Sequence, residues 1–186
     1  MEMTQTQRLP VPQQVAWQAL NDTALLQHCI PGCESIEPDG DNAYQLTMMA
    51  AVGPVKARFK GRMALQDIQA PDSYTIHFDG QGGAAGFGRG SARVTLEPDG
   101  EETVLTYTVN AQVGGKMAQI GSRLVDAAAR KMADTFFTRF SEAVSGQSGG
   151  NDIDEQSTGD AAPGDDAEAT GERKQKRSWT AWISKS

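Results

Sequence analysis

The stretch Val55-Lys56-Ala57-Arg58-Phe59-Lys60-Gly61-Arg62-Met63-Ala64-Leu65 alternates almost throughout between cations and apolar or small residues. Successive side chains of a β-strand point to opposite faces, so this pattern separates an apolar face from a charged one. One buried face and one face in water are typical of an antiparallel sheet. The stretch therefore predicts a half-buried antiparallel strand whose outer face carries a ladder of four cations: Lys56, Arg58, Lys60 and Arg62.

Four further segments, residues 44–52, 74–80, 88–96 and 105–113, repeat the alternation and are separated by turn signals rich in Pro, Gly and Asp. Many residues on their expected inner faces are small: Ala50, Ala57, Gly61, Gly90, Ala92 and Ala111. A sheet lined by such small side chains either approaches a helix closely or leaves room for a ligand.

Helical patterns flank these strands. Residues 3–9 predict a weak first strand, residues 13–20 and 23–29 two short helices, and residues 116–144 a long helix with apolar residues at three- and four-residue steps. The second half of the long helix is aromatic, with Phe136, Phe137 and Phe140, and the first half is small. We therefore predict an α+β fold in which an antiparallel sheet wraps around a long C-terminal helix. The aromatic half should fill the concavity, and the small half should leave space.

The predicted cavity lies between the inner face of the sheet and the first half of that helix. Such a cavity is apolar with few polar groups, as an isoprenoid or quinone site requires. The alternative is a filled core in which small residues only permit close packing. Residues 83–87, which include Phe87, are expected to flank the cavity mouth together with Gly114 and Gly115. The candidate ligand-binding residues are Leu46, Met48, Phe59, Met63, Ile76, Phe78, Phe87, Tyr107, Val109, Met117, Ile120, Leu124 and Ala128.

Charge divides the 186-residue chain, whose net charge is −7, into three parts. Residues 1–145 form the predicted domain, residues 146–172 an acidic linker expected to be disordered, and residues 173–186 a basic tail with tryptophans. Tryptophan and basic residues favour the surface of an anionic membrane; the alternatives are a disordered end and a peptide that docks on a protein. The candidate membrane-binding residues are Arg173, Lys174, Lys176, Arg177, Trp179, Trp182 and Ile183.

The sequence offers few candidate residues for a catalytic site or a metal site. His28, Cys29 and Cys33 lie close together in the sequence, but the other histidine, His77, falls on the outer face of a strand. No nucleophile–histidine arrangement can be argued from two histidines on separate elements. We therefore predict no catalytic residue and no metal site. The acidic balance argues against nucleic acid as a partner. With neither a signal peptide nor a long apolar run, the chain is expected to be cytoplasmic and its cysteines reduced.

Four blocks of sequence, residues 28–36, 52–62, 82–90 and 113–123, resemble the signature blocks of the CoxG family, the CoxG subunit of carbon monoxide dehydrogenase. The order of elements also resembles the helix-grip layout of START-like (Bet v 1-like, SRPBCC) proteins. The resemblance covers roughly residues 1–144. It implies a non-catalytic accessory protein of molybdenum hydroxylases such as aerobic carbon monoxide dehydrogenase.

The resemblance further implies a role at the inner face of the cytoplasmic membrane, with the protein peripherally associated. No covalent cofactor is implied, and the hydrophobic small molecule would be a respiratory quinone, menaquinone or ubiquinone. The cation ladder is then a docking surface for the hydroxylase, although such ladders are more often solvated faces. Two alternatives remain: a cyclase or hydrolase of the same fold, and a protein–protein adaptor with a filled core.

Overall fold

A computed structural model describes residues 1–148 of the chain. The linker predicted beyond residue 148 and the basic tail lie outside the described residues, so the domain boundaries stay a prediction. The elements run in the order β1 (Glu2–Leu9), α1 (Gln13–Leu20), α2 (Thr23–Cys29), β2 (Cys33–Pro38), β3 (Ala43–Val52), β4 (Val55–Gln69), β5 (Ser73–Gln81), β6 (Phe87–Asp99), β7 (Glu102–Gly114), α3 (Lys116–Gln119) and α4 (Ser122–Ser148).

The seven strands form one antiparallel sheet in the order β1-β7-β6-β5-β4-β3-β2. The first strand pairs with the last. This pairing joins residues about a hundred positions apart, such as Gln5 opposite Tyr107. The sheet and the long C-terminal helix confirm the predicted α+β helix-grip fold. β4 continues four residues beyond the predicted strand.

The main core lies between the inner face of the sheet, α1, α2 and the second half of α4. Leu9, Leu105, Phe140 and Val144 are at most 1% exposed there. Phe136 stacks on Phe140 with ring centroids 5.6 Å apart. The aromatic half of α4 therefore fills this end of the concavity, as the sequence predicts. Truncating a fully buried phenylalanine such as Phe140 to alanine costs about 3–5 kcal/mol in typical cores.

Two polar side chains stabilise the segment around the short helices. The carboxylate of Asp22 caps α2 by accepting hydrogen bonds from the backbone N–H groups of Ala24 and Leu25, at 3.0 and 3.1 Å. The hydroxyl of Thr103 is fully buried and donates to the backbone carbonyl of Val11 at 2.7 Å. This bond satisfies a carbonyl in the link between β1 and α1 that would otherwise be buried without a partner.

The predicted helix of residues 116–144 is in fact two helices. Gly121 separates α3 from α4 with φ of +96°, a left-handed conformation that favours glycine. The break shifts the helical phase, so the faces at the start of the helix differ from those expected of one continuous helix. Ala118 and Gly121 are exposed, whereas Val125, at 7% exposure, begins the stripe that faces the sheet.

A candidate ligand-binding cavity

A cavity of about 370 Å³, the central cavity, lies between the inner face of the sheet, α2 and the middle of α4. Its size falls within the roughly 300–1,000 Å³ of typical ligand sites. Its wall on the sheet runs over six strands, β1 and β3 to β7, with Met63, Ile76, Ala92 and Val109 among its residues. The wall on α4 is formed by Ala129, Met132, Ala133, Phe136 and Phe137.

The inner face has this shape because small residues meet large ones across the strands. Ala92 of β6 lies opposite Ile76 on one side and Val109 on the other. Two residues before it on β6, Gly90 brings the backbone of β7 so close that a Cβ on Gly90 would lie 2.1 Å from the carbonyl oxygen of Asn110. The short side chains on β6 therefore leave volume that the facing alanines of α4, Ala129 and Ala133, do not fill.

The polar groups on the cavity wall are few and are mainly tyrosine hydroxyls. Tyr107 donates its hydroxyl hydrogen bond to the side-chain oxygen of Gln5, and its ring stacks on Phe137 at 5.3 Å. Burial, reinforced by the negative charge of Asp134, raises the pKa of Tyr107. The hydroxyl therefore stays neutral up to a higher pH than that of an exposed tyrosine.

Tyr74 is the most deeply buried of the tyrosines on this wall. It is 5% exposed, and its ring meets the edge of Trp17 at 5.4 Å. Burial raises the pKa of Tyr74 well above its ordinary range. Within residues 1–148 its hydroxyl makes no hydrogen bond, so it is a polar group that a ligand in the cavity can contact.

Four of the predicted ligand-binding residues line this cavity: Met63, Ile76, Tyr107 and Val109. Sequence reasoning missed Tyr44 and Tyr74, which it placed near strand ends, and the wall from Leu20, Leu26, Ile30 and Pro31. The apolar residues of α2 were visible in the sequence. That pattern does not show that α2 packs over the opening between the sheet and α4.

The cavity lies further along the helix than predicted. Phe59, Met117, Ile120 and Ala128 instead form a second, smaller core cluster with Val52 and Val125 beside the start of α4. Space was expected at this end because its residues are small; strand side chains such as Phe59 and Val113 fill part of it, and a separate, smaller cavity remains beside the start of α4. The other expected residues that do not line the central cavity are Leu46, Met48, Phe78, Phe87 and Leu124.

Two of these residues lie at or beside the start of α4, and the helix break explains the position of Leu124. Leu124 is 49% exposed, because the phase shift after Gly121 turns it away from the sheet, and its side chain lies near Gly53. Phe87 lines a separate cavity beside the start of α4. That Leu46, Met48, Phe59, Phe78, Phe87, Met117, Ile120, Leu124 and Ala128 bind a ligand stays a prediction.

The outer face of β4 carries the four predicted cations, and all four are exposed. Arg58 pairs with Glu34 at 3.0 Å, and Arg62 pairs with Asp39 at 2.8 Å. Lys56 and Lys60 have no acidic partner among the described residues. Only half of the ladder is therefore free to pair with another molecule.

The two cysteines lie at the end of α2 and at the start of β2. Cys29 ends α2 and is fully buried, and burial raises the pKa values of Cys29 and Cys33. Both are free thiols. Across residues 1–148, His, Cys, Asp and Glu side chains do not gather in threes as a metal site would need.

Comparison with known proteins places this geometry in a family. The family model for the CoxG subunit of carbon monoxide dehydrogenase matches residues 6–145. The chain belongs to the CoxG family. No curated protein sequence matches the chain significantly.

Solved structures of similar fold support the same architecture. A conserved protein from Geobacillus kaustophilus is 30% identical, with a TM-score of 0.75, over 79% of this chain and 97% of that one. The Zhui aromatase/cyclase from Streptomyces sp. R1128 is 14% identical, with a TM-score of 0.60, over 82% and 98%. A START superfamily protein from Mycobacterium smegmatis is 13% identical, with a TM-score of 0.58, over 78% and 98%. The last two show the START-like fold alone.

Proposed function

We propose that this CoxG protein is a non-catalytic accessory protein that binds a respiratory quinone, menaquinone or ubiquinone, in the central cavity. The observation that carries the proposal is the cavity of about 370 Å³ with an almost entirely apolar wall. Apolar surface favours a prenyl chain by roughly 0.8 kcal/mol per buried CH₂ group. Methionine side chains on both walls, Met63 and Met132, adapt to a flexible chain of this kind.

A binding role is favoured over catalysis by the chemistry of the cavity wall. The described residues that line the central cavity include hydroxyl and amide groups but no carboxylate, imidazole or thiol. General acid–base catalysis normally uses one of the latter groups within hydrogen-bond reach of the substrate. Tyr107 already donates its hydroxyl proton to Gln5, so Tyr74, whose hydroxyl makes no hydrogen bond within residues 1–148, is the tyrosine suited to donating to a bound carbonyl.

The proposed client is a molybdenum hydroxylase of the carbon monoxide dehydrogenase type. The family description names carbon monoxide dehydrogenase, and the outer face of β4 supplies a surface with two unpaired cations, Lys56 and Lys60. Arg89 of β6 is exposed on the same outer face, where its guanidinium donates to Gln112 at 3.2 Å. We propose that an acidic surface of the hydroxylase docks here.

Contact with the cytoplasmic membrane is proposed through the basic tail, residues 173–186, which lies outside the described residues. No helix within residues 1–148 is long and apolar enough to cross a membrane. Removing residues 172–186 should abolish sedimentation with anionic liposomes, since clustered basic residues contribute about 1 kcal/mol each near such a surface. Sedimentation of the truncated protein at the level of the full chain would place the membrane contact on the domain.

Native mass spectrometry of the gently extracted full-length protein tests the quinone proposal. We expect a mass increment equal to that of a quinone of the host, released when the protein is denatured. The protein cleared of ligand should regain the increment when a quinone is added. Failure to retain or regain any quinone would overturn the proposal, and conversion of an added molecule into a product would favour the cyclase or hydrolase alternative.

A further inference from the structure

A second cavity, of about 330 Å³, lies beside the start of α4. It is walled by Phe87, Ala111 and Val113 from the sheet and by Ser122, Val125 and Asp126 from α4, with Met1 and Gln112 at its edge. Two polar side chains on its wall, Ser122 and Asp126, come from α4. It therefore differs in chemistry from the central cavity, whose wall on α4 is wholly apolar.

The two cavities follow each other along the same pair of elements. On β7 the inner face passes from Tyr107 and Val109, in the central cavity, to Ala111 in the second one. On α4 the inward stripe passes from Ala129 back to Val125 by one turn of helix. Met1 lines both cavities. The two cavities are therefore neighbours along β7 and α4.

Asp126 is the acidic residue on the wall of the second cavity. Its side-chain oxygen Oδ1 is buried and has no hydrogen-bond partner among the described residues. A buried acceptor without a partner is destabilising, and because Asp126 also lines the second cavity, a turn of its side chain would let a ligand there supply the missing partner. An ionised carboxylate only accepts hydrogen bonds, so the group that completes this site must be a donor.

We propose that Asp126 contacts the polar end of a ligand that carries a hydroxyl donor, while the prenyl chain of the ligand lies in the central cavity. The inference rests on the proposed quinone-binding function and specifies its redox form. A hydroquinone presents O–H donors to the Asp126 carboxylate, and hydrogen bonds to an ionised group are among the strongest. A quinone presents only carbonyl oxygens, which are acceptors and repel the carboxylate. The site should therefore select the reduced form.

The test compares two forms of one ligand under anaerobic conditions. Calorimetric titration of the full-length protein with a short-chain ubiquinol and the matching ubiquinone should show at least about a tenfold preference for the ubiquinol, or about 1.4 kcal/mol. Asp126→Leu should remove that preference by weakening ubiquinol alone. Asp126→Asn should narrow or reverse it, because a carboxamide also donates to a carbonyl. Glu142→Leu, which removes a carboxylate from an exposed position of the same helix, should leave the preference unchanged.

The outcomes separate this inference from the function on which it rests. Equal affinity of the wild-type protein for both forms, or a preference that survives both Asp126 variants, would overturn the role of Asp126 and leave quinone binding intact. Binding of neither form by the wild-type protein would overturn both. If Asp126→Leu fails to fold, the comparison of Asp126→Asn with the wild-type protein still decides the question.

Discussion

Filling the central cavity from α4 should block ligand binding without unfolding the protein. Ala129 lies on the cavity wall and is half-buried, so Ala129→Trp directs an indole into the space that the prenyl chain would occupy. Displacing a single isoprene unit removes roughly 3–4 kcal/mol of apolar burial at about 0.8 kcal/mol per CH₂. We therefore expect the dissociation constant for a short-chain quinone to rise by about two to three orders of magnitude.

The matched control is Ala127→Trp, two residues away on the exposed side of the same helix. It introduces the same side chain and should bind the quinone as the wild-type protein does. The assay is calorimetric titration, with thermal unfolding of each variant measured in parallel. Introducing the indole into a true cavity should cost little stability, whereas overpacking a filled core costs about 1–3 kcal/mol.

Two results would refute this reasoning. Quinone affinity of Ala129→Trp equal to that of the control would show that the ligand does not occupy the central cavity. Strong destabilisation of Ala129→Trp, with Ala127→Trp unaffected, would show that the space is closed in solution and favour the filled-core adaptor. Ala133→Phe, a smaller filling change on the next turn of the wall, gives a second measurement of the same space.

Three further outcomes are expected. Reversing the charge of Lys56 and Lys60 together should weaken capture of the hydroxylase at low salt, an effect that shrinks as ionic strength rises. Reversing Arg58, which already pairs with an acidic residue of its own chain, should have the smaller effect. Equal capture by all variants would make the ladder a solvated face. Thr103→Val should lower the free energy of unfolding by about 1–3 kcal/mol in urea titrations, because it leaves a buried carbonyl unpaired; an unchanged midpoint would contradict this. Burial raises the pKa of Tyr74, so the folded protein holds this proton more tightly than the unfolded chain: the resulting stability is complete below a pH of about 10 and is lost as the pH rises further. Urea midpoints of Tyr74→Phe should therefore fall less steeply above that pH than those of the wild-type protein, and parallel curves would refute the assignment.

The faces of the strands and of most of α4 could be read from the sequence. Alternation with period two assigned Lys56 and Arg58 to the outer face of β4, and helical spacing assigned Val125, Phe136 and Phe140 to the inner stripe of α4. These assignments succeeded because they depend on local backbone geometry, which repeats along the chain. They failed at Leu124, where one left-handed glycine changed the helical phase.

The sequence did not show which cations on the outer face of β4 pair with acidic residues. Arg58 and Arg62 look equivalent to Lys56 and Lys60 in the sequence. They differ because Glu34 on β2 and Asp39 in the following turn reach the two arginines across the sheet. The two arginines differ from the two lysines because of how β2 and β3 are aligned with β4. The residues of β4 alone do not show that alignment.

The sequence alone determined the fold class, the family, the charged outer face and the apolar inner face, because each of these follows from a periodic pattern or a run of matching residues. Only the tertiary structure decided where the cavity lies and which polar groups reach it. The volume between sheet and helix depends on how Ala92, Ala129 and Ile30, from separate parts of the chain, pack together. The orphaned oxygen of Asp126 likewise follows from what its neighbours leave unpaired, since a sequence shows which groups need hydrogen bonds but not which of them obtain a partner.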